Sequence, residues 1–111
     1  MTYLDADDVM DSKIAALRKE FIAGLPGRIQ TISSLLALLY DQPDHRQELF
    51  RRVHSITGSL GLFEYMEPSH TAREMCNLLD PDLPLDDVLY SLDELNVLAV
   101  KLFGQIEVLH S

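Results

Sequence analysis

The stretch LDDVLYSLDELNVLAVKLFGQIEVL, residues 85–109, carries the most regular apolar repeat in the chain. Leu85, Val88, Leu92, Leu95, Ala99, Leu102, Ile106 and Leu109 recur at intervals of 3-4-3-4-3-4-3. A repeat of about 3.5 residues keeps these side chains on one stripe of an α-helix, and such a stripe packs on neighbouring helices at a shallow angle. Upstream, Ile14, Leu17, Phe21, Leu25, Ile29, Ile32, Leu36 and Leu39 also step by three and four, which again places them on one helical face. No segment alternates apolar and polar residues with the period of two that marks a strand. The expectation is an all-α protein, a four-helix up-and-down bundle, in which residues 1–111 form one domain and residues 1–10 form a flexible arm or an extra short helix.

Punctuation along the chain sets the expected helix ends. Pro26 and Gly27 interrupt the first apolar run, and a proline inside a helix removes a hydrogen bond and clashes with the preceding turn. A kink, or two helices meeting near residues 24–27, is expected there. The DQPD stretch, residues 41–44, reads as a turn, with the next helix starting beside Pro43 and Asp44 and running past His54. A third helical segment follows Glu67 and Pro68 and stops near DPDLP, residues 80–84.

Composition narrows the function. A net charge of −9 and a pI near 4.6 argue against nucleic acid and anionic membranes, both of which demand a basic footprint. One cysteine, Cys76, excludes an internal disulfide and suits a reducing compartment. The N-terminus lacks the basic and apolar regions of a signal peptide, and no uninterrupted apolar stretch reaches the ~18 residues of a membrane span. A cytoplasmic protein is expected. His45, His70 and His110 lack HxxxH or HExxH spacing, so no metal site is expected. Asp80, Asp82, Asp86 and Asp87 suit a turn and a helix N-terminus better than a calcium loop, and Cys76, in an apolar run, suits packing better than catalysis.

One segment resists a purely structural account: RRVHSITGSLGLFEY, residues 51–65. At roughly 100° per residue, Leu49, Val53, Ile56, Leu60 and Phe63 cluster within about 40° of one direction, whereas His54, Gly58 and Gly61 lie about 120° to 180° away. Outward glycine weakens a helix without adding a contact. Its presence near a histidine suggests an open patch that admits a second macromolecule, centred on His54 and flanked by Arg51 and Arg52, with Thr57 about 60° round the helix from His54 toward the buried stripe. A solvated surface histidine with a capping glycine is the competing reading.

VHSITGSLGLF resembles the motif of histidine-containing phosphotransfer domains: the histidine, an aliphatic residue two on, glycine four on, serine five on and an apolar residue nine on. LRKEFIAGLPGRIQTISSLLALL resembles the first core helices of that family, including the proline after Phe-x-x-x-Leu, and HTAREMCNLLD fits the next helix. Two positions depart from the pattern. Thr57 stands where the family usually has a lysine, three residues after the histidine, and Glu64 stands where it often has glycine, ten residues after.

The resemblance implies a phosphocarrier rather than an enzyme, with His54 as phosphoacceptor and Arg51, Arg52, Ser55, Thr57, Gly58 and Gly61 in partner docking. Its partner is a response-regulator receiver domain, or a hybrid sensor histidine kinase, in a two-component phosphorelay. No cofactor is expected on this chain, since Mg²⁺ sits on the receiver, and the chain is expected to be a monomer that binds neither nucleic acid nor membrane. A neutral imidazole supplies the nucleophilic lone pair from one ring nitrogen, with a carboxylate as the natural partner of the other. Arg51 and Arg52 are candidates to supply the charge of the missing lysine. A module that docks on a receiver or kinase without being phosphorylated is the alternative, and a plain helical scaffold the third. No nucleotide-binding loop or kinase motif occurs.

Overall fold

The computed structural model describes residues 6–110. Among them there are five α-helices and no strand: α1 (Ala6–Leu38), α2 (Arg46–Leu62), α3 (Met66–Leu79), α4 (Leu85–Tyr90) and α5 (Leu92–Leu109). A single 3-10 turn, Pro43–His45, leads into α2. Helix α2 packs most extensively on α3, α3 packs on α5, and α1 closes the ring against α2 and α5. The expected four-helix bundle is present, built from α1, α2, α3 and α5.

The core follows the periodicity. Leu25, Ile32, Leu36 and Leu39 of α1 are buried against Leu49, Val53, Ile56 and Leu60 of α2, with Met75 and Leu79 of α3 and Leu95, Leu102 and Ile106 of α5. Phe63 is half-buried and packs on Phe21, ring centroids 5.3 Å apart. Burial of a leucine or isoleucine side chain stabilises by about 1.5–3 kcal/mol, so the stripe, not intrinsic propensity, holds these helices.

Three expected boundaries are corrected, and of the two readings at Pro26 the junction between separate helices is excluded. The apolar repeat of residues 85–109 is not one helix: Ser91, with φ −90° and ψ 8°, separates α4 from α5. The repeat keeps its phase across a one-residue break, which is why periodicity alone missed it. Helix α3 begins at Met66, ahead of Pro68, because a proline in the first turn lacks only an N–H that would have no helical partner. Residues 6–10 belong to α1, not to a separate short helix, and residues 1–5 lie outside the described residues. Pro26 does not divide α1, which runs through it as one 33-residue helix.

The continuity of α1 has a visible support. Without an N–H, Pro26 leaves the carbonyl of Ile22 without its helical donor. His110, at the end of α5, donates from Nε2 to that carbonyl at 2.7 Å. His110→Ala is therefore expected to cost about 0.5–1 kcal/mol, the net worth of one hydrogen bond. In a Pro26→Ala background, where the N–H is restored, the same change should cost close to nothing. Urea unfolding of the four proteins in this double-mutant cycle measures the coupling.

Between α2 and α3 the chain turns on Glu64, the one non-glycine residue with positive φ (66°) among the described residues. The Tyr65 N–H bonds to the Leu60 carbonyl at 2.9 Å and the Glu64 N–H to the Gly61 carbonyl at 3.0 Å. This is the pair of bonds that closes a helix over a left-handed residue, a position that favours glycine because a Cβ is crowded there. The glycine expected at this position from the family pattern is thus a backbone requirement that Glu64 meets under strain. Glu64→Gly is expected to stabilise the fold by about 0.5–1 kcal/mol, read as a higher thermal midpoint.

By length and composition, Val9–Leu38 within α1 is long and apolar enough to cross a membrane. This corrects the count of uninterrupted apolar runs, because polar residues spaced through the helix barely lower its average. Leu25, Ile32 and Leu36 of that span are nevertheless buried in the bundle.

Candidate functional site

His54 lies in the middle of α2 on the face opposite the buried stripe, and its side chain is exposed. Phe50, one turn earlier, stacks on the imidazole with ring centroids 5.7 Å apart and planes inclined by 28°. This contact sets the Phe50 ring against one side of the imidazole. No hydrogen bond holds either ring nitrogen among the described residues, so the carboxylate partner expected for one of them is not there, and both nitrogens face solvent or a docking molecule.

Beside the ring, α2 and α3 enclose an open cleft of about 490 Å³. Its walls are His54, Thr57, Gly58 and Gly61 on one side and Met66, Ser69, Arg73 and Asn77 on the other, with Cys76 and Asp80 also lining it. Gly58 is exposed, and a Cβ built there meets nothing within 4 Å. Among the described residues, nothing occupies the space directly above Gly58.

Gly61 has a different role from the one expected. It is half-buried, and a Cβ there would stand 3.4 Å from Ser69 Oγ. Ser69, itself buried, donates to the Thr57 carbonyl at 3.0 Å. Gly61 thus lets α3 approach α2 closely at the far end of the cleft, where it faces the neighbouring helix rather than open solvent.

Thr57 likewise turns inward. It is 8% exposed, its Oγ1 donates to the Val53 carbonyl at 2.9 Å, and Cys76 Sγ lies 3.8 Å away. It forms part of the cleft floor and offers little of itself to a partner. Cys76 is buried, and that burial pushes its thiol above the ordinary range, against the smaller opposing effects of Thr57 and Arg73. A thiol held protonated is a poor nucleophile, in keeping with packing.

The cations are arranged differently from the sequence expectation. Arg51 and Arg52 are both exposed and neither lines the cleft. Arg52 is engaged with Glu48 one turn back, at 3.0 Å. Ser55 is held from behind by Arg28 of α1, which donates to its Oγ at 2.8 Å and lies 5.7 Å over the Phe21 ring. Burial, and then Arg52 nearby, pushes the Arg28 guanidinium below its usual value. The cation that shares the cleft with His54 is Arg73 of α3, which sequence reasoning missed. Asn77, one turn further along α3, adds an amide to the same wall.

Other histidines and acids singled out in the sequence make local structural contacts. His45 Nε2 lies 2.6 Å from Gln42 Oε1, and Asp80 Oδ1 accepts the Asp82 N–H at 2.9 Å in the loop after α3. Asp86 and Asp87 occupy the first turn of α4.

An exposed imidazole, stacked from one side and set beside an open cleft that holds a guanidinium and an amide, can act as a nucleophile toward an electrophilic anion such as a phosphoryl group. Comparison with protein families gives a match to the Hpt domain over residues 16–102. Comparison with curated proteins and with solved structures found no match.

Proposed function

The chain belongs to the Hpt domain family, and from that premise we propose that His54 carries a phosphoryl group to or from the aspartate of a response-regulator receiver domain. The observation that carries this reading is the pairing of an exposed, Phe50-stacked His54 with the unfilled space over Gly58. A receiver can bring its active-site aspartate to the imidazole only along an approach that α2 itself leaves free.

The step balances simply. A lone pair on one ring nitrogen attacks phosphorus of the aspartyl phosphate, the N–P bond forms as the P–O bond to aspartate breaks, and the electron pair leaves with the carboxylate. The other ring nitrogen keeps its proton. The receiver contributes Mg²⁺ and most of the charge stabilisation that phosphoryl transfer demands, so this chain acts as a phosphocarrier and supplies an aimed nucleophile. Arg73 offers the cation that Thr57 does not, from α3 rather than from α2, and Asn77 offers an N–H donor. A family member with neither lysine nor substitute would suit pure docking. The guanidinium in the cleft favours transfer over that alternative, and a cytoplasmic setting, where receivers reside, accords with it.

The test is incubation with receiver domains phosphorylated by a labelled small-molecule donor. Label should pass to this chain, be labile in acid and stable in alkali as a phosphoramidate is, and vanish in His54→Gln. Label that persists in that variant, or none from any receiver tried, overturns the reading.

A further inference from the structure

We infer that two copies of this chain associate in antiparallel fashion through the N-terminal part of α1. Helix α1 outruns the bundle: α2 ends where Phe63 meets Phe21, and α5 ends where His110 meets Ile22. Before these points α1 meets only the ends of α2 and α5, through open grooves that Leu17 and Glu20 share with Leu62 and that Ala15 and Arg18 share with Leu109, yet the face that is buried lower down continues apolar. Met10, Ile14 and Leu17 are 57%, 39% and 56% exposed and fall, with Phe21, at intervals of 4-3-4. That is the seam of a coiled coil, with Ile14 and Phe21 at a positions and Met10 and Leu17 at d positions.

Charge selects the occupant. With these assignments Asp11 and Arg18 take e positions, and Lys13 and Glu20 take g positions. An antiparallel pair sets a against d, e against e and g against g. Ile14 then faces Leu17 of the second copy, Asp11 faces Arg18 and Lys13 faces Glu20, and the two-fold axis repeats each pairing. A parallel pair sets g against the e of the next heptad, which would bring Lys13 against Arg18, like against like. None of the four charged residues forms an ion pair with another described residue, and Arg18 Nε is buried without a hydrogen-bond partner. The same register brings Met10 of one copy to Phe21 of the other, beside an open groove of about 450 Å³ that includes Leu62 and Phe63. Leu62 is 76% exposed, an apolar side chain at the bundle end that a second copy would cover.

None of the residues lining this groove lines the cleft beside His54, so the association leaves both histidines open. It departs from the monomer expected from the family resemblance and does not depend on His54 being phosphorylated.

Sedimentation equilibrium of the full chain, from about 5 to 500 μM at low salt, tests it. The 12.6 kDa chain should approach twice that mass. Lys13→Glu sets a carboxylate against Glu20 of the second copy and should weaken association about tenfold or more, as should Glu20→Lys. The double variant restores both pairings with signs exchanged and should recover the wild-type constant. An equimolar mixture of the two single variants should form a heterodimer more stable than either homodimer. Leu17→Asp should abolish association with the helical circular dichroism of the bundle retained. A wild type that stays monomeric throughout the range, association indifferent to the charge reversals, or a monomer that partitions onto neutral phosphatidylcholine vesicles through the same residues overturns the proposal.

Discussion

Gly58→Glu is expected to abolish labelling of this chain by a phosphorylated receiver while leaving its thermal midpoint at or above that of the wild type. The two effects have separate causes. Glutamate is a better helix former than glycine by about 0.5–1 kcal/mol, and a Cβ at position 58 meets nothing within 4 Å, so the fold loses nothing and gains propensity. The same side chain fills the approach to His54 from one turn away. It also puts a carboxylate beside an incoming phosphoryl group that carries close to two negative charges. Like charges forced together at an interface cost several kcal/mol, so the transfer rate should fall by about 100-fold or more. Gly58→Ala separates the causes, since it adds helix propensity and little bulk and should lose far less transfer. Transfer rates with a phosphorylated receiver, set beside circular-dichroism melts of the same preparations, decide the matter. Undiminished transfer in Gly58→Glu would show that no partner passes over this residue, and parallel loss of fold and transfer would show that Gly58 is structural.

The all-α bundle was legible because its core obeys spacing. Leu25, Ile32, Leu36 and Leu39, and Leu49, Val53, Ile56 and Leu60, all lie where a 3.6-residue period puts them. What spacing could not show were places where one residue ends or saves a helix. Ser91 breaks the last helix without disturbing the repeat, and Pro26 is tolerated because His110, 84 positions away, takes over the carbonyl it orphans. The apolar spacing carries no mark of the first, and the second depends on which helices become neighbours.

The site divides the same way. The outward placement of His54 and Gly58 and the inward turn of Thr57 follow from rotation about one helix axis, and the structure agrees. Gly61 was misplaced because its neighbour Ser69 belongs to α3, and a wheel drawn for α2 alone cannot contain it. Arg73 was missed for the same reason. In hindsight its signal is the series Ser69, Arg73, Cys76, Asn77 and Asp80, a second stripe on α3 at helical spacing beside the buried Ala72, Met75 and Leu79. It becomes meaningful only once α2 and α3 are known to be the most closely packed pair.

Arg46→Ala is expected to be among the most destabilising single substitutions outside the apolar core, at about 2–3 kcal/mol. Arg46 opens α2, and its half-buried guanidinium reaches across to the end of α3. It donates to the carbonyls of Leu79 at 3.4 Å, of Asp80, and of Leu83 at 2.6 Å. The last carbonyls of a helix have no helical donors, and positive charge there also suits the helix dipole. The last turn of α3 contains no basic residue of its own, so Arg46 supplies from another helix what the sequence of α3 lacks. It also fixes the loop from residue 80 to residue 84 that leads into α4. Hydrogen bonds from a charged donor contribute about 1.5–3 kcal/mol each when well formed, and partly buried carbonyls left without them lose part of that to water. Arg46→Lys should recover only a fraction, because an ammonium is a point charge that cannot reach three diverging carbonyls with the guanidinium's fork. Urea unfolding should show a midpoint lowered for both variants, alanine more than lysine. Labelling of His54 well below the melting temperature should be unchanged, since Arg46 lines no part of the cleft. A loss under about 0.5 kcal/mol, the range of an ordinary surface substitution, would mean that water serves these carbonyls as well as the arginine does.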